Sequence, residues 1–297
     1  LSSQPTAMRS GACSEAEWTA RCELAAVYRT LDRLGMNEGI CNHLTAMVGP
    51  DRFLCIAYGQ DWAEVRPESL LLLDPSGAVL QGEGRVEVTA FEIHRALHAA
   101  NPKSNACVLH THTPNVTALC CTNPMRLEMA HQNSCRFYGQ IAYDETFNGL
   151  VDDQTEGSRI AQALGSRSIL LHRSHGVMVC APTIAQAFDD LYYLERAAMV
   201  QVMALSSGRP LSLISDSTAA AVRRQFQKDF AANNPAREHL AARMRILERE
   251  DESNRRLERI EVFAHAACGA SSVVWAVVML GGIAMGGMRL AAYLQRK

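Results

Sequence analysis

Between Glu15 and Gly35 the apolar residues recur at helical spacing, with Trp18, Cys22, Ala25, Leu31 and Leu34 tracing one stripe. Ser14 followed three residues later by Glu17 has the form of a capping box, which predicts a helix opening there and stopping at Gly35. Beyond that glycine the period changes. Residues 44–48, 53–57 and 70–73 are apolar runs of strand length, the last closed by the turn Asp74-Pro75-Ser76-Gly77. Thr89 with Glu92 predicts a second capped helix, which Pro102 ends. A strand at 106–111, a short helix at 115–120 and strands at 169–171 and 177–180 follow. Thr183 with Gln186 caps the longest amphipathic helix, running to about Ser206 and terminated by Gly208-Arg209-Pro210. Strands interleaved with helices in this way form an α/β layered domain. The close strand pairs after Gly35 call for antiparallel neighbours, so the sheet is expected to be mixed.

After Pro210 the pattern turns Arg- and Glu-rich, the signature of a solvated helical face. From Val262 to Met288 there is no Asp, Glu, Lys or Arg. That run exceeds the roughly 20 residues that cross a bilayer core, and Gly282 and Gly286 have small-xxx-small spacing. It reads as a membrane span or as a buried interface helix. Six basic residues from Arg243 to Arg259 precede it and three follow, so the globular part is expected in the cytoplasm, tail-anchored if the run is inserted. The chain therefore divides into an extension (1–13), a head domain (14–212), a helical segment (213–261), the apolar helix (262–288) and a short basic tail (289–297).

Composition removes several classes. With 48% hydrophobic and 20% charged residues the chain carries too much apolar surface to be disordered. A formal net charge of -2 supplies no footprint for a nucleic acid. The ten cysteines show no CxxC spacing and read as reduced thiols of a cytosol-like compartment.

Chemistry concentrates on histidine. His110-Thr111-His112 ends a predicted strand, where alternation places both imidazoles on one face at a rise of roughly 6.5 Å. His175-Gly176 projects a third imidazole from a turn between two strands. Three neutral imidazoles with an open fourth position make a zinc-type site of the catalytic kind. His172 reads as a surface residue, and Asp189, Asp190 and Glu195 as the solvated or cap-proximal face of the long helix.

His110-Thr111-His112-Thr113-Pro114 followed by His175-Gly176-Val177 resembles the class II aldolase/adducin family. So do Cys41-Asn42-His43-Leu44-Thr45, Ala57-Tyr58-Gly59, Ala90-Phe91-Glu92-Ile93-His94 and Phe137-Tyr138-Gly139, over about residues 15 to 210. The resemblance implies a three-layer α/β/α sandwich with C-terminal helices outside it, usually a homotetramer with sites at subunit interfaces. In the sugar-phosphate aldolases of the family, a zinc held by the three histidines polarises the ketone and stabilises an enediolate. A glutamate there handles the proton, and this chain has Ala90 at that position. Glu92 reads as the capping partner of Thr89 rather than a relocated base. His43 stands where those enzymes place a phosphate-binding Asn, while Gly59 and Thr89 keep loop positions that donate to a phosphate. His131 falls near the position from which a neighbouring subunit contributes a tyrosine acid, with Tyr138 the other candidate.

The expected activity is that of a divalent-metal-dependent lyase acting on a small hydroxy-carbonyl compound through a metal-stabilised enolate, with zinc as the ion. The alternative is a non-catalytic adducin-like module for actin, spectrin or a membrane-associated scaffold. The Lys-rich tail of adducins is not visible in this sequence.

Overall fold

Ser14 caps the first helix as its spacing predicts: its hydroxyl accepts the Glu17 N–H at 3.1 Å in the computed structural model, which describes residues 13–147, 149 and 155–268. This helix, α1 (Glu15–Arg33), buries Leu24, Val27, Tyr28 and Leu31 and ends where Gly35 turns to φ +63°. Leu34, expected on the buried stripe, is exposed because it lies past the last turn.

Eight strands form one sheet: β1 (His43–Gly49), β2 (Arg52–Cys55), β3 (Leu71–Leu73), β4 (Val79–Gln81), β5 (Cys107–Thr111), β6 (Ile141–Asp144), β7 (Ile169–His172) and β8 (Gly176–Ala181). Their order is β4-β3-β2-β1-β5-β8-β7-β6. Only β6 and β7 pair in parallel, so the sheet is mixed. The other described helices are α2 (Val88–Ala100), α3 (Pro114–Cys120), α4 (Thr155–Leu164), α5 (Ile184–Leu205), α6 (Asp216–Asn233) and α7 (Pro235–Cys268). On one face α1, α3 and α5 cover the larger core, which takes Leu44, Leu109, Val177 and Val179 from the strands. On the other face α2 and α4 cover a smaller core built on Val108, Leu170 and Met178. Residues alternate strictly between the two along β5. The result is the expected three-layer α/β/α sandwich.

The cap of α2 differs from the sequence expectation. Glu87 accepts the Ala90 N–H at 2.5 Å, so the helix opens on Glu87 rather than Thr89, and Glu92 pairs with Arg95 at 2.5 Å. The acids of the long helix are also not solvated. Asp189 is buried against Arg136 and His239, and Glu195 accepts from Asn115 N, Asn115 Nδ2 and Val116 N at 2.6–3.0 Å. A carboxylate from α5 thus satisfies the free N–H groups that open α3. Among the described side chains no two cysteines form a disulfide, and burial raises Cys55, Cys120 and Cys180 to about 12.

The chain divides into two compact units, Leu1–Met244 and Arg245–Lys297. Most of the apolar run 262–288 lies outside the described residues. Among the described ones no helix is long and apolar enough to cross a membrane, so the tail-anchor expectation finds no support there.

Candidate functional site

The end of β5 assembles the site. His110 lies opposite His43 of β1 and Met178 of β8, which puts it in the centre of the sheet, on the face of α2. His112 lies just past the strand. His175 sits in the β7–β8 turn, which Ser174 enters at φ +55° while donating its N–H to the Cys120 carbonyl at 3.0 Å. Gly176 follows for a steric reason: a Cβ there would stand 2.7 Å from both His112 Cδ2 and the Thr111 carbonyl oxygen. Only glycine lets the turn close against β5.

One ring nitrogen from each of His110, His112 and His175 lies within 4.8 Å of the other two. Their tautomers follow from their other partners. His110 Nδ1–H donates to the Val177 carbonyl at 3.1 Å, and His112 Nδ1–H donates to the Glu38 carboxylate at 2.5 Å. Both Nε2 lone pairs therefore face each other, 3.2 Å apart. Two lone pairs at that separation repel unless a cation lies between them. Two Zn–N bonds at the tetrahedral angle would set the nitrogens about 3.3 Å apart, so the donor set fits a divalent ion. The Glu38–His112 contact has the form of the outer carboxylate that orients a metal-binding histidine. Asn42 completes the clasp, its Oδ1 accepting from Glu38 N at 2.8 Å and His112 N at 3.2 Å.

Electrostatics keep the His110 and His175 rings neutral. Burial, reinforced by the neighbouring His43, His175 and His112, holds His110 well below the usual histidine range. Burial, with His112 and His172 beside it, lowers His175 to about 4. Neutral imidazoles are the form that binds metal.

Two further histidine networks border the triad. His172, expected at the surface, is buried and donates Nδ1–H to Asp144 at 2.7 Å, while Asp144 also accepts from Arg159 at 2.8 Å. Its ring lies edge-on to His175, with centroids 5.1 Å apart. On the other side the His43 and His110 rings are 5.1 Å apart. From His43 a chain of contacts runs to His94 (2.8 Å), Thr45 Oγ1 (2.7 Å), His98 (2.7 Å) and the Asn105 carbonyl (2.5 Å). Burial lowers His43 to about 3, His94 well below its ordinary value and His98 to about 4.

His43 lines a cavity of about 310 Å³ together with Gly59, Glu87, Ala90 and Asn42. Gly59 reaches its place there with φ +88°. The side chain of Thr89 falls outside those described. His131 lines a separate cavity of about 210 Å³ with Glu128 and Arg209, and its buried Nδ1 has no hydrogen-bond partner among the described residues. Tyr138 follows a 3-10 turn at Ser134–Phe137. Neither shows a hydrogen bond or ring contact with the triad among the described residues. Sequence reasoning did not find Glu38, His98, Asp144 or Glu87. Each comes from a different loop or element, so no spacing announces it.

The family model described as "Class II Aldolase and Adducin N-terminal domain" matches residues 22–202. A relative from Caulobacter vibrioides with a provisional class 2 aldolase name is 34% identical, over 72% of this chain and 84% of its own. Human beta-adducin is 31% identical over 65% of this chain, but that match spans 27% of the adducin. Among solved structures, an aldolase II superfamily protein from Pseudomonas syringae superposes with a TM-score of 0.74 at 30% identity, covering 80% of this chain and 95% of the other. The chain belongs to the class II aldolase and adducin N-terminal domain family.

Proposed function

We propose that the chain is a divalent-metal-dependent lyase of the aldolase type, acting on a small hydroxy-carbonyl compound. The observation that carries this reading is the pair of Nε2 lone pairs on His110 and His112, turned together at 3.2 Å by partners that fix both tautomers. His110, His112 and His175 would hold the ion, zinc being the expected one, whose bonds to imidazole nitrogen accommodate the 3.2 Å separation. A divalent ion there supplies Lewis-acid polarisation of a carbonyl oxygen. Glu38 and Asn42 hold the His112 ring and its backbone in place. His43 and Gly59 line the adjoining cavity and contact substrate, and Thr89 is assigned to the same end by its position. His131 and Tyr138, which do not join the triad within one chain, are assigned as proton donors across the interface of a homotetramer. Support for the reaction class comes from family membership, and the fold is shared with an L-fuculose 1-phosphate aldolase of Glaciozyma antarctica at 23% identity.

The test is exchange of the α-proton of hydroxyacetone or dihydroxyacetone in deuterium oxide, followed by NMR with and without zinc. Metal-dependent exchange, abolished by a chelator, is expected. Exchange that no metal stimulates, for any member of a hydroxy-ketone panel, contradicts the lyase reading.

A second reading is favoured by one observation. The family glutamate position is Ala90, a buried methyl group on the cavity wall. A chain without that acid serves as a non-catalytic adducin-like module for a cytoskeletal partner. Co-sedimentation with actin or spectrin filaments separates the two: the module pellets with filaments and the lyase does not.

A further inference from the structure

The cavity beside the triad carries its own chemical instructions. The hydrogen-bond chain that leaves it ends on a backbone carbonyl, which can only accept. His98 Nδ1 must therefore be the protonated nitrogen, donating to Asn105 O, and its Nε2 must accept. Thr45 Oγ1–H is the donor to that Nε2, so the same oxygen accepts from His94 Nδ1–H. His94 Nε2 is then an acceptor, and His43 Nδ1–H donates to it. Four groups in series leave one outcome: His43 keeps an Nε2 that can accept a hydrogen bond and cannot donate one.

Charge on the wall agrees. Among the described residues no Lys or Arg lines this cavity, and the one charged side chain that does is Glu87. Asn42, 1% exposed, also lines it, and its buried Nδ2 has no hydrogen-bond partner among the described residues. Trp62 Nε1 and Gln60 Oε1 are in the same condition on the same wall. Buried polar atoms are ordinarily satisfied, so a cavity bordered by unpaired donors and acceptors marks a place where a ligand supplies the partners. An alternation of both kinds matches hydroxyl groups, which donate and accept at once.

We propose that this cavity takes the uncharged, hydroxyl-bearing end of the substrate, a free polyhydroxy carbonyl compound and not its phosphate ester, with His43 Nε2 accepting a hydrogen bond from a substrate hydroxyl. A phosphate oxygen offers an acceptor to an acceptor at His43 and a negative charge to Glu87. The proposal rests on the lyase reading in taking a hydroxy-carbonyl ligand, and it sets the ligand's charge.

Two measurements test it. In the metal-free chain with 15N-labelled histidine, the signal lost in His43→Gln identifies His43, which is expected at neutral pH as the Nδ1–H tautomer; the Nε2–H tautomer overturns the proposal. In the zinc-loaded chain, titration with dihydroxyacetone and with dihydroxyacetone phosphate is expected to give at least about tenfold weaker binding of the ester, a ratio that Glu87→Gln brings toward one. Ester binding equal to or tighter than that of the free ketose overturns it, as does a zinc-loaded chain that binds neither. If zinc binds and the ester is preferred, this proposal alone fails. If no metal binds, the lyase reading fails first, while the tautomer measurement still stands.

Discussion

At the scale of single residues, alternation past the end of β5 and the β7–β8 turn bring one ring nitrogen each of His110, His112 and His175 within 4.8 Å of one another. The groups that hold them come from distant parts of the sequence. Glu38 reaches His112 across 74 positions of sequence, and no periodicity points to it. His172 reads as a surface residue for a related reason, since nothing local shows that β6 lies beside β7 and brings Asp144 to it. Glu38→Gln keeps the fold but lowers metal affinity about 10- to 100-fold, measured by chelator competition, as loss of an outer carboxylate does elsewhere; unchanged affinity removes Glu38 from the site. Gly176→Ala inserts a Cβ at 2.7 Å from His112 and the Thr111 carbonyl. It is expected to cost about 1–3 kcal/mol in urea unfolding and to weaken metal binding with it.

At the scale of elements, most helices and strands could be read from period and caps, and the exceptions have physical causes. The β4 strand (Val79–Gln81) is largely exposed and the β6 strand (Ile141–Asp144) ends on Tyr143 and Asp144, so neither forms the apolar run that marks β3 and β7. For α2 the local capping pattern at Thr89 and Glu92 was real but outcompeted, because Glu87 reaches Ala90 N–H and Arg95 recruits Glu92. The α3 helix shows why acids on a long helix cannot be assigned to solvent from spacing alone. Its cap, Glu195, arrives from 80 residues away and accepts three N–H groups while 6% exposed. Glu195→Ala leaves those donors buried and unpaired, with an expected loss of about 1–3 kcal/mol in chemical denaturation. Glu195→Gln retains acceptor capacity and is expected to recover part of it. A neutral Glu195→Ala variant would show that water replaces the carboxylate without cost.

At the scale of the whole molecule, the sheet order explains why function gathers at one place. β1, β5, β8 and β7 are successive neighbours, so His43, His110 and His172 share the face of α2. The same arrangement buries the neutral histidine chain, and burial has a pH consequence. His98 is held at about 4 against 6.5 in an unfolded chain, because burial outweighs its bond to Asn105. Between those values the unfolded chain binds the proton that the folded chain refuses. Stability is therefore complete above about pH 6.5 and falls as pH drops toward 4, by on the order of 3 kcal/mol for this group. Urea unfolding across that range is expected to show the decline in the native chain and a shallower one in His98→Gln; equal slopes contradict the assignment.

The most direct measurement of the central claim is metal analysis of the purified full chain beside His110→Ala and His175→Ala. The account predicts near one equivalent of a divalent transition ion in the native chain and its loss in both variants, with the fold retained by circular dichroism. A native chain that takes up no ion after reconstitution, or variants that retain it in full, would contradict the three-histidine centre on which the proposed function stands.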